Sequence, residues 1–186
     1  MTTVDRLWYR ASEARQQAEQ LRHRLADRHT EYLEYTTSRR VSRARFRTIT
    51  GRIVDQGLPY GAHTLTYSSD GRLLLVRHAA VDQWVLPGGE IDADEHIREG
   101  ARRELAEEAG IDASYEGLGI LGRVEFYCDG HQTWGVLPIF EATPAQFELT
   151  VADPDGEITD ADWFDTLPED TRDREILQRW RDSRLG

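Results

Sequence analysis

One stretch constrains this chain more than any other. From Gly89 it runs five residues to Glu95, seven more to Arg103, and then Glu104-Leu105-Ala106-Glu107-Glu108-Ala109-Gly110-Ile111. Two patterns interleave here. Ile97, Ala101, Leu105 and Ala109 recur every fourth residue, which predicts one helix with an apolar face. Asp92 or Asp94 flags its start and Gly110 its end. Glu104, Glu107 and Glu108 stand at i, i+3 and i+4, so their carboxylates share another face. Like charges this close raise each other's pKa unless a cation fills the space between them. A fold for this sequence must therefore bury one side of the helix and answer the charge on the other. An acidic helix face is often only solvated surface, and Glu90, Asp92, Asp94 and Glu99 fit that description.

Around this helix the pattern is mostly strand and turn. Residues 61–67 and 72–78 flank Ser68-Ser69-Asp70-Gly71, which predicts a hairpin. Residues 118–127 and 133–142 flank Cys128-Asp129-Gly130-His131, which predicts a second. Ile158–Phe164 reads as a short strand, and Pro168 to Arg184 as a helix carrying Ile176, Leu177 and Trp180. The first 50 residues differ. They contain no Gly or Pro and carry +5, whereas residues 51–186 carry −16. This predicts a helical extension over 1–50 and a main domain over 51–186. Leu7, Ala11, Ala14, Ala18, Leu21, Leu25 and Tyr32 form a near-heptad stripe, with Thr2 and Asp5 as a loose capping box. The stripe is Ala-rich and needs a surface, either the main domain or the same helix of a second subunit, so a homodimer is one expectation.

The run from Gly89 to Ile111 matches the 23-residue Nudix box, G-x5-E-x7-R-E-U-x-E-E-x-G-U with U aliphatic, at every specified position. Trp84-Val85-Leu86-Pro87-Gly88-Gly89 resembles the lead-in to that box, and Glu157-Ile158 with Ala161–Phe164 resembles the family's last core strand. The resemblance covers about residues 60–168. It implies an α/β fold, an α/β/α sandwich with a mixed sheet. It also implies an enzyme that hydrolyses a nucleoside diphosphate linked to another moiety. Hard carboxylate oxygens suit Mg²⁺ or Mn²⁺, and Mg²⁺ keeps waters, so a few carboxylates plus substrate phosphates suffice. The expected metal ligands are Glu104, Glu107 and Glu108, with the Gly89 carbonyl added by resemblance. The family also implies that Arg103, eight residues after Glu95, orients a carboxylate. The general base is open between Glu107 and Glu108 in the box and Glu157 outside it. Glu157 also reads as a surface charge beside Asp153, Asp155 and Asp160.

Outside the box the signals weaken. Arg77 is either a phosphate contact or an exposed strand residue. His78, His131 and the aromatics Trp84, Trp134, Trp163 and Phe164 read more simply as surface or core. Tyr127 lies sixteen residues past Ile111, where some family members that act on dinucleoside polyphosphates carry Tyr and ADP-ribose hydrolases carry Pro. ADP-ribose, dinucleoside polyphosphates, nucleotide sugars and modified dNTPs all stay open. A rival reading is a nucleotide-sensing regulator that binds nucleic acid through Arg39, Arg40, Arg43, Arg45 and Arg47. An intact box argues against it.

Composition closes off several classes. A single Cys excludes an intramolecular disulfide and a multi-thiolate zinc site. No apolar run approaches a membrane span and no signal peptide is visible, so the expectation is a soluble cytoplasmic protein with no membrane partner. All 23 basic residues are Arg, against 34 acidic ones, for a net −11. The absence of Lys beside that acidic excess resembles an extreme halophile, while a high-GC mesophile is the alternative.

Overall fold

The computed structural model describes residues 3–186, with side chains from Arg6 onward, so the capping box expected of Thr2 and Asp5 lies outside the described residues. Two compact units form, Met1–Tyr60 with Ile120–Pro138, and Gly61–Gly119 with Ile139–Gly186.

The first unit holds α1 (Thr3–Arg28), β1 (Leu33–Arg40) and α2 (Arg43–Gln56). It also takes residues 120–128 of β6 (Ala113–Cys128) and 131–138 of β7 (His131–Pro144). The stripe on α1 is buried from Leu7 to Leu25 and packs on α2, which contributes Phe46, Ile49 and Ile53. Ala11, Ala14 and Ala18 on this stripe are buried and small, which lets helix backbones approach closely. Thr133 Oγ1 donates to the Ala11 carbonyl at 3.0 Å and fastens the helix to β7. The helical extension expected through residue 50 is interrupted. Residues 33–40 are a strand, parallel to β6 in one unbroken register from Leu33↔Ile120 to Arg40↔Tyr127. The reason is a period of two: Leu33, Tyr35, Thr37 and Arg39 are half-buried, while Glu34, Thr36, Ser38 and Arg40 are exposed. Tyr and Thr also favour a pleated surface. The basic stretch is split between the end of β1 and the first turns of α2, where Ser42 caps the helix by accepting from the Arg45 N–H at 3.2 Å. The change of texture expected at Gly51 falls inside α2, which continues to Gln56.

The second unit holds β2 (Ala62–Thr66), β3 (Leu73–His78), β4 (Gln83–Val85), β5 (Gly88–Gly89) and α3 (Ile97–Ala109). The remainders of β6 and β7, with β8 (Ile158–Phe164) and α4 (Arg174–Leu185), complete it. The strands pair in two mixed or antiparallel sheets, β1-β6-β7-β2-β5 and β4-β3-β8. The hairpin expected of β2 and β3 does not form. Its turn is present, with the Gly71 N–H donating to the Ser68 carbonyl at 3.0 Å. Beyond the bridge Tyr67↔Leu73, however, the two strands join different sheets. Leu73–Val76 are wholly buried, so both faces of β3 are covered; β4 and β8 pair with its two edges, while β2 pairs with β7 and β5. The second hairpin forms as expected and is longer at both ends, around Asp129 (φ 46) and Gly130 (φ 80), the signs a two-residue loop requires. The expected strand β8 and the C-terminal helix are both present, the helix starting at Arg174 rather than Pro168. Leu105, Ala109 and Ile111 pack with Leu74, Val76, Val85, Ala142 and Ile158, which fixes α3 against both sheets of this unit. Among the described residues no helix is long and apolar enough to cross a membrane.

Candidate active site

Strand β5 and helix α3 build the site. Helix α3 begins at Ile97, later than Asp92 or Asp94 would place it. The Asp92 carbonyl instead accepts from the Glu95 N–H at 3.0 Å, which closes a turn before the helix. The helix N-terminus is held by Glu99, whose carboxylate accepts from the His96 N–H at 3.1 Å. That turn brings Glu95 back over α3, where Arg103 meets it with two parallel bonds of 3.0 Å, from Nε and Nη2. Arg103 Nη1 donates to Glu104 at 2.8 Å and to Glu107 at 3.4 Å, and Nη2 also reaches the Glu90 carbonyl at 3.0 Å. One guanidinium thus spans three carboxylates and the chain leading into the helix. It holds the Glu95 carboxyl below its ordinary value.

The other side of the cluster faces backbone. The Gly88 N–H donates to Glu108 Oε2 at 2.9 Å. Gly89 lies so close to Glu104 that a Cβ there would sit 2.8 Å from the carboxyl carbon, so any side chain would fill this space. The Gly89 carbonyl oxygen lies against Gly61. Glu108 is only 5% exposed, and burial, with the charges of Glu104, Asp153 and Glu157 added, pushes its carboxyl up to about 9. Burial also raises Glu104, helped by Glu107 and Asp155 and opposed by Arg103. These are buried oxygens that lack enough positive charge. Among the described residues no three His, Cys, Asp or Glu side chains are gathered as a finished metal site, and Arg103 engages Glu104 and Glu107. The donor set nevertheless fits a hard divalent cation: carboxylates at i, i+3 and i+4, two of them raised by burial, beside a backbone with no side chain in the way.

Two further acids act on this cluster that the sequence treats as surface charges. Asp153 and Asp155 lie in the segment after β7, which docks on the end of α3. There the Thr150 N–H donates to the Ala109 carbonyl at 2.9 Å and the Ala152 N–H to the Glu107 carbonyl at 3.1 Å. Asp153 then accepts from the backbone N–H groups of Glu157 and Ile158. The dense acidic run Asp153-Pro154-Asp155-Gly156-Glu157 was the available signal. Glu157 itself is mostly exposed, with its carboxylate 3.6 Å from His78 Nε2.

Arg77 is not gathered with the glutamates. Its guanidinium pairs with Asp82 at 2.6 Å and with Asp170, and stands over the Trp84 ring. Tyr127 belongs to the first unit, where its hydroxyl donates to Glu125 at 2.9 Å. Arg103→Lys keeps the charge but loses the fork. It is expected to lower kcat about 10–100-fold with little change in KM, the usual cost of losing a group that orients ligands. Steady-state kinetics on the best substrate checks this.

Residues 57–179, more than half of the chain, match the NUDIX domain family. A candidate 8-oxo-dGTP diphosphatase of Bacillus subtilis (strain 168) is 34% identical over 76 residues, 40% of this chain and 51% of that protein. The human m7GpppN-mRNA hydrolase NUDT17 is 37% identical over 62 residues, 31% of this chain and 19% of that one. The chain therefore spans about half the length of the first of these relatives and less of the second. Among solved structures, a NUDIX hydrolase from Nitrosomonas europaea aligns with a TM-score of 0.53 at 20% identity, covering 68% of this chain and 72% of that one. A NUDIX-family hydrolase from Clostridium perfringens aligns at 0.50 and 18%, covering 66% and 93%. At these identities the likeness shows the fold.

Proposed function

Because this chain belongs to the Nudix family, we propose that it is a pyrophosphohydrolase that splits the diphosphate bridge of a nucleotide derivative with the help of a divalent cation. The observation that carries this reading is the pair Glu104 and Glu108, the first half-buried and the second buried, both raised beside the open backbone of Gly88–Gly89. Glu104, Glu107 and Glu108 would hold the cation, with the Gly89 carbonyl as a further candidate. When bound, Mg²⁺ or Mn²⁺ lowers the pKa of water and offsets charge on phosphoryl oxygens. The protein's own residues do the positioning. Arg103, clamped on Glu95 by Nε and Nη2, fixes Glu104 through Nη1, while the Gly88 N–H fixes Glu108. Glu107, the most loosely held of the three at 3.4 Å from Arg103, and the exposed Glu157, 3.6 Å from His78 Nε2, are the candidates to accept a proton from water, Glu107 only where it leaves the cation to the other two. The substrates in these relatives' names, 8-oxo-dGTP and m7GpppN-mRNA, are both nucleotides with a phosphoanhydride, which supports that class and no finer one. The division of the basic stretch between β1 and α2, with Arg39 stacked 5.0 Å from the Tyr60 ring, gives the nucleic-acid reading no support.

A phosphate-release screen with Mg²⁺ tests the proposal. The panel holds 8-oxo-dGTP, a capped dinucleotide, ADP-ribose, dinucleoside polyphosphates and nucleotide sugars, in low and molar KCl. Turnover on one class, falling by about 10³-fold in Glu107→Gln, is the expected outcome. Silence across the panel from folded protein, or equal turnover in the variant, would overturn it. Melting in the same two salts bears on composition: equal stability in both would remove the halophile reading.

A further inference from the structure

Strand β1 ends the pairing order β1-β6-β7-β2-β5, so one of its edges meets β6 and the other meets no strand among the described residues. The Val41 N–H donates to the Tyr127 carbonyl at 3.1 Å. In a parallel ladder alternate residues point their N–H and C=O the same way. Leu33, Tyr35, Thr37 and Arg39 therefore bond toward β6, and Glu34, Thr36, Ser38 and Arg40 direct theirs outward. The same four are the exposed residues of the strand. Natural edges are usually blunted by shortness, charged side chains, proline, a bulge or a covering element, and this one carries charge, as one acid and one base, at Glu34 and Arg40. This one has eight residues in unbroken register and contains no Pro or Gly.

Its sequence is also self-complementary. We propose that β1 pairs antiparallel with β1 of a second copy, about a two-fold axis through Thr37. In that register Glu34 faces Arg40 of the second copy, Thr36 faces Ser38, and both pairs repeat on the other side of the axis. The outward N–H and C=O groups fall opposite one another in four pairs and form about eight hydrogen bonds between chains. Opposite charges directly across an antiparallel pair stabilise it, and like charges destabilise it. A slip of two residues sets Glu34 against Ser38, or Arg40 against Thr36, and loses both ion pairs. A parallel arrangement sets Glu34 beside Glu34 and Arg40 beside Arg40. The charges thus select a copy of this chain, in one orientation and one register. The helical stripe, the other candidate seam, is already buried on α2 within the chain.

An interface of this size is weak, so sedimentation velocity on the full chain should span about 1 to 200 µM. The dimer fraction is expected to rise across that range. Glu34→Arg and Arg40→Glu should each weaken association at least about tenfold, and together restore it to within about threefold of wild type. Thr36→Pro removes only an outward N–H and should abolish the dimer while leaving the melting temperature nearly unchanged. Thr37→Cys should form a disulfide with its own copy, because the Cα atoms of a non-hydrogen-bonded antiparallel pair lie about 4.5 Å apart. Thr36→Cys, displaced along the strand from its own counterpart, should not. The natural Cys128 is buried and does not compete. A chain that stays monomeric overturns the proposal. So does a dimer indifferent to the charge reversals and to Thr36→Pro, or a double reversal that fails to restore association.

Discussion

Glu108→Gln should cost at least about 10³-fold in kcat/KM and, in cation-free protein, should also remove most of the loss of stability at alkaline pH. Both effects follow from one buried carboxyl. Folded, Glu108 keeps its proton up to about 9; unfolded, it releases it near the ordinary 4.5. Between those values the folded chain binds more protons than the unfolded one, so stability is highest below the lower value and falls as pH rises through the upper. Glutamine is neutral throughout and still accepts from the Gly88 N–H, so its melting temperature should change much less between pH 6 and 9. A residual slope from Glu104, which burial also raises, is expected to remain. Mg²⁺ supplies the charge that the wild-type site lacks. At about 100 times its Kd it adds about 2.7 kcal/mol, or about 5–10 °C for a chain of this size. That gain should vanish in the variant. Melting curves with and without Mg²⁺ across pH decide the matter: identical pH slopes in the two proteins, or undiminished turnover, would sink the assignment.

The parts of this site that were legible in the sequence lie on a single helix. Glu104, Glu107 and Glu108 announce a shared face because helical geometry converts their spacing into proximity. Arg103 and Glu95 are eight residues apart across a helix start, and only the Asp92–Glu95 turn brings them together. No periodicity encodes that turn, so the pair was readable only by resemblance. Asp153 and Asp155 stood out only as part of an acidic run, and their role was hidden for a different reason. Their effect on Glu108 and Glu104 depends on backbone bonds from the segment after β7 to the last carbonyls of α3. Such bonds have no side-chain signature. Local signals misled in two places. The heptad count carried past the end of α1 to Tyr32 and hid the two-residue alternation of β1, whose exposed face is charged and hydroxylated rather than plainly polar against apolar. The Ser68–Gly71 turn is real, but a turn reports only that the chain reverses. Which sheet each strand joins is decided by partners far along the chain, β7 for β2 and β8 for β3.

Gly61→Ala should damage the fold and the site together, although residue 61 lies outside the box. Gly61 sits at φ 77, where an L side chain costs about 1–2 kcal/mol. That term is the smaller one. A Cβ there would stand 1.6 Å from the Gly89 carbonyl oxygen and 2.9 Å from the Glu90 Cα. Both are backbone atoms, so no rotamer change relieves the clash. The chain can respond only by parting β2 from β5, which are paired at Ala62↔Gly89 and His63↔Gly88. Moving β5 withdraws the Gly88 N–H from Glu108 and the open backbone from Glu104. The expected loss is therefore at least about 3 kcal/mol, roughly 6–12 °C, along with the stabilisation by Mg²⁺. Gly156→Ala separates strain from collision. Gly156 has φ 68, but a Cβ there meets nothing within 4 Å, so the variant should lose only about 1–2 kcal/mol. Urea unfolding of both variants, with and without Mg²⁺, makes the comparison. If Gly61→Ala unfolds within a few tenths of a kcal/mol of Gly156→Ala and still gains stability from Mg²⁺, contact between residues 61 and 89 does not hold β5 over the glutamates.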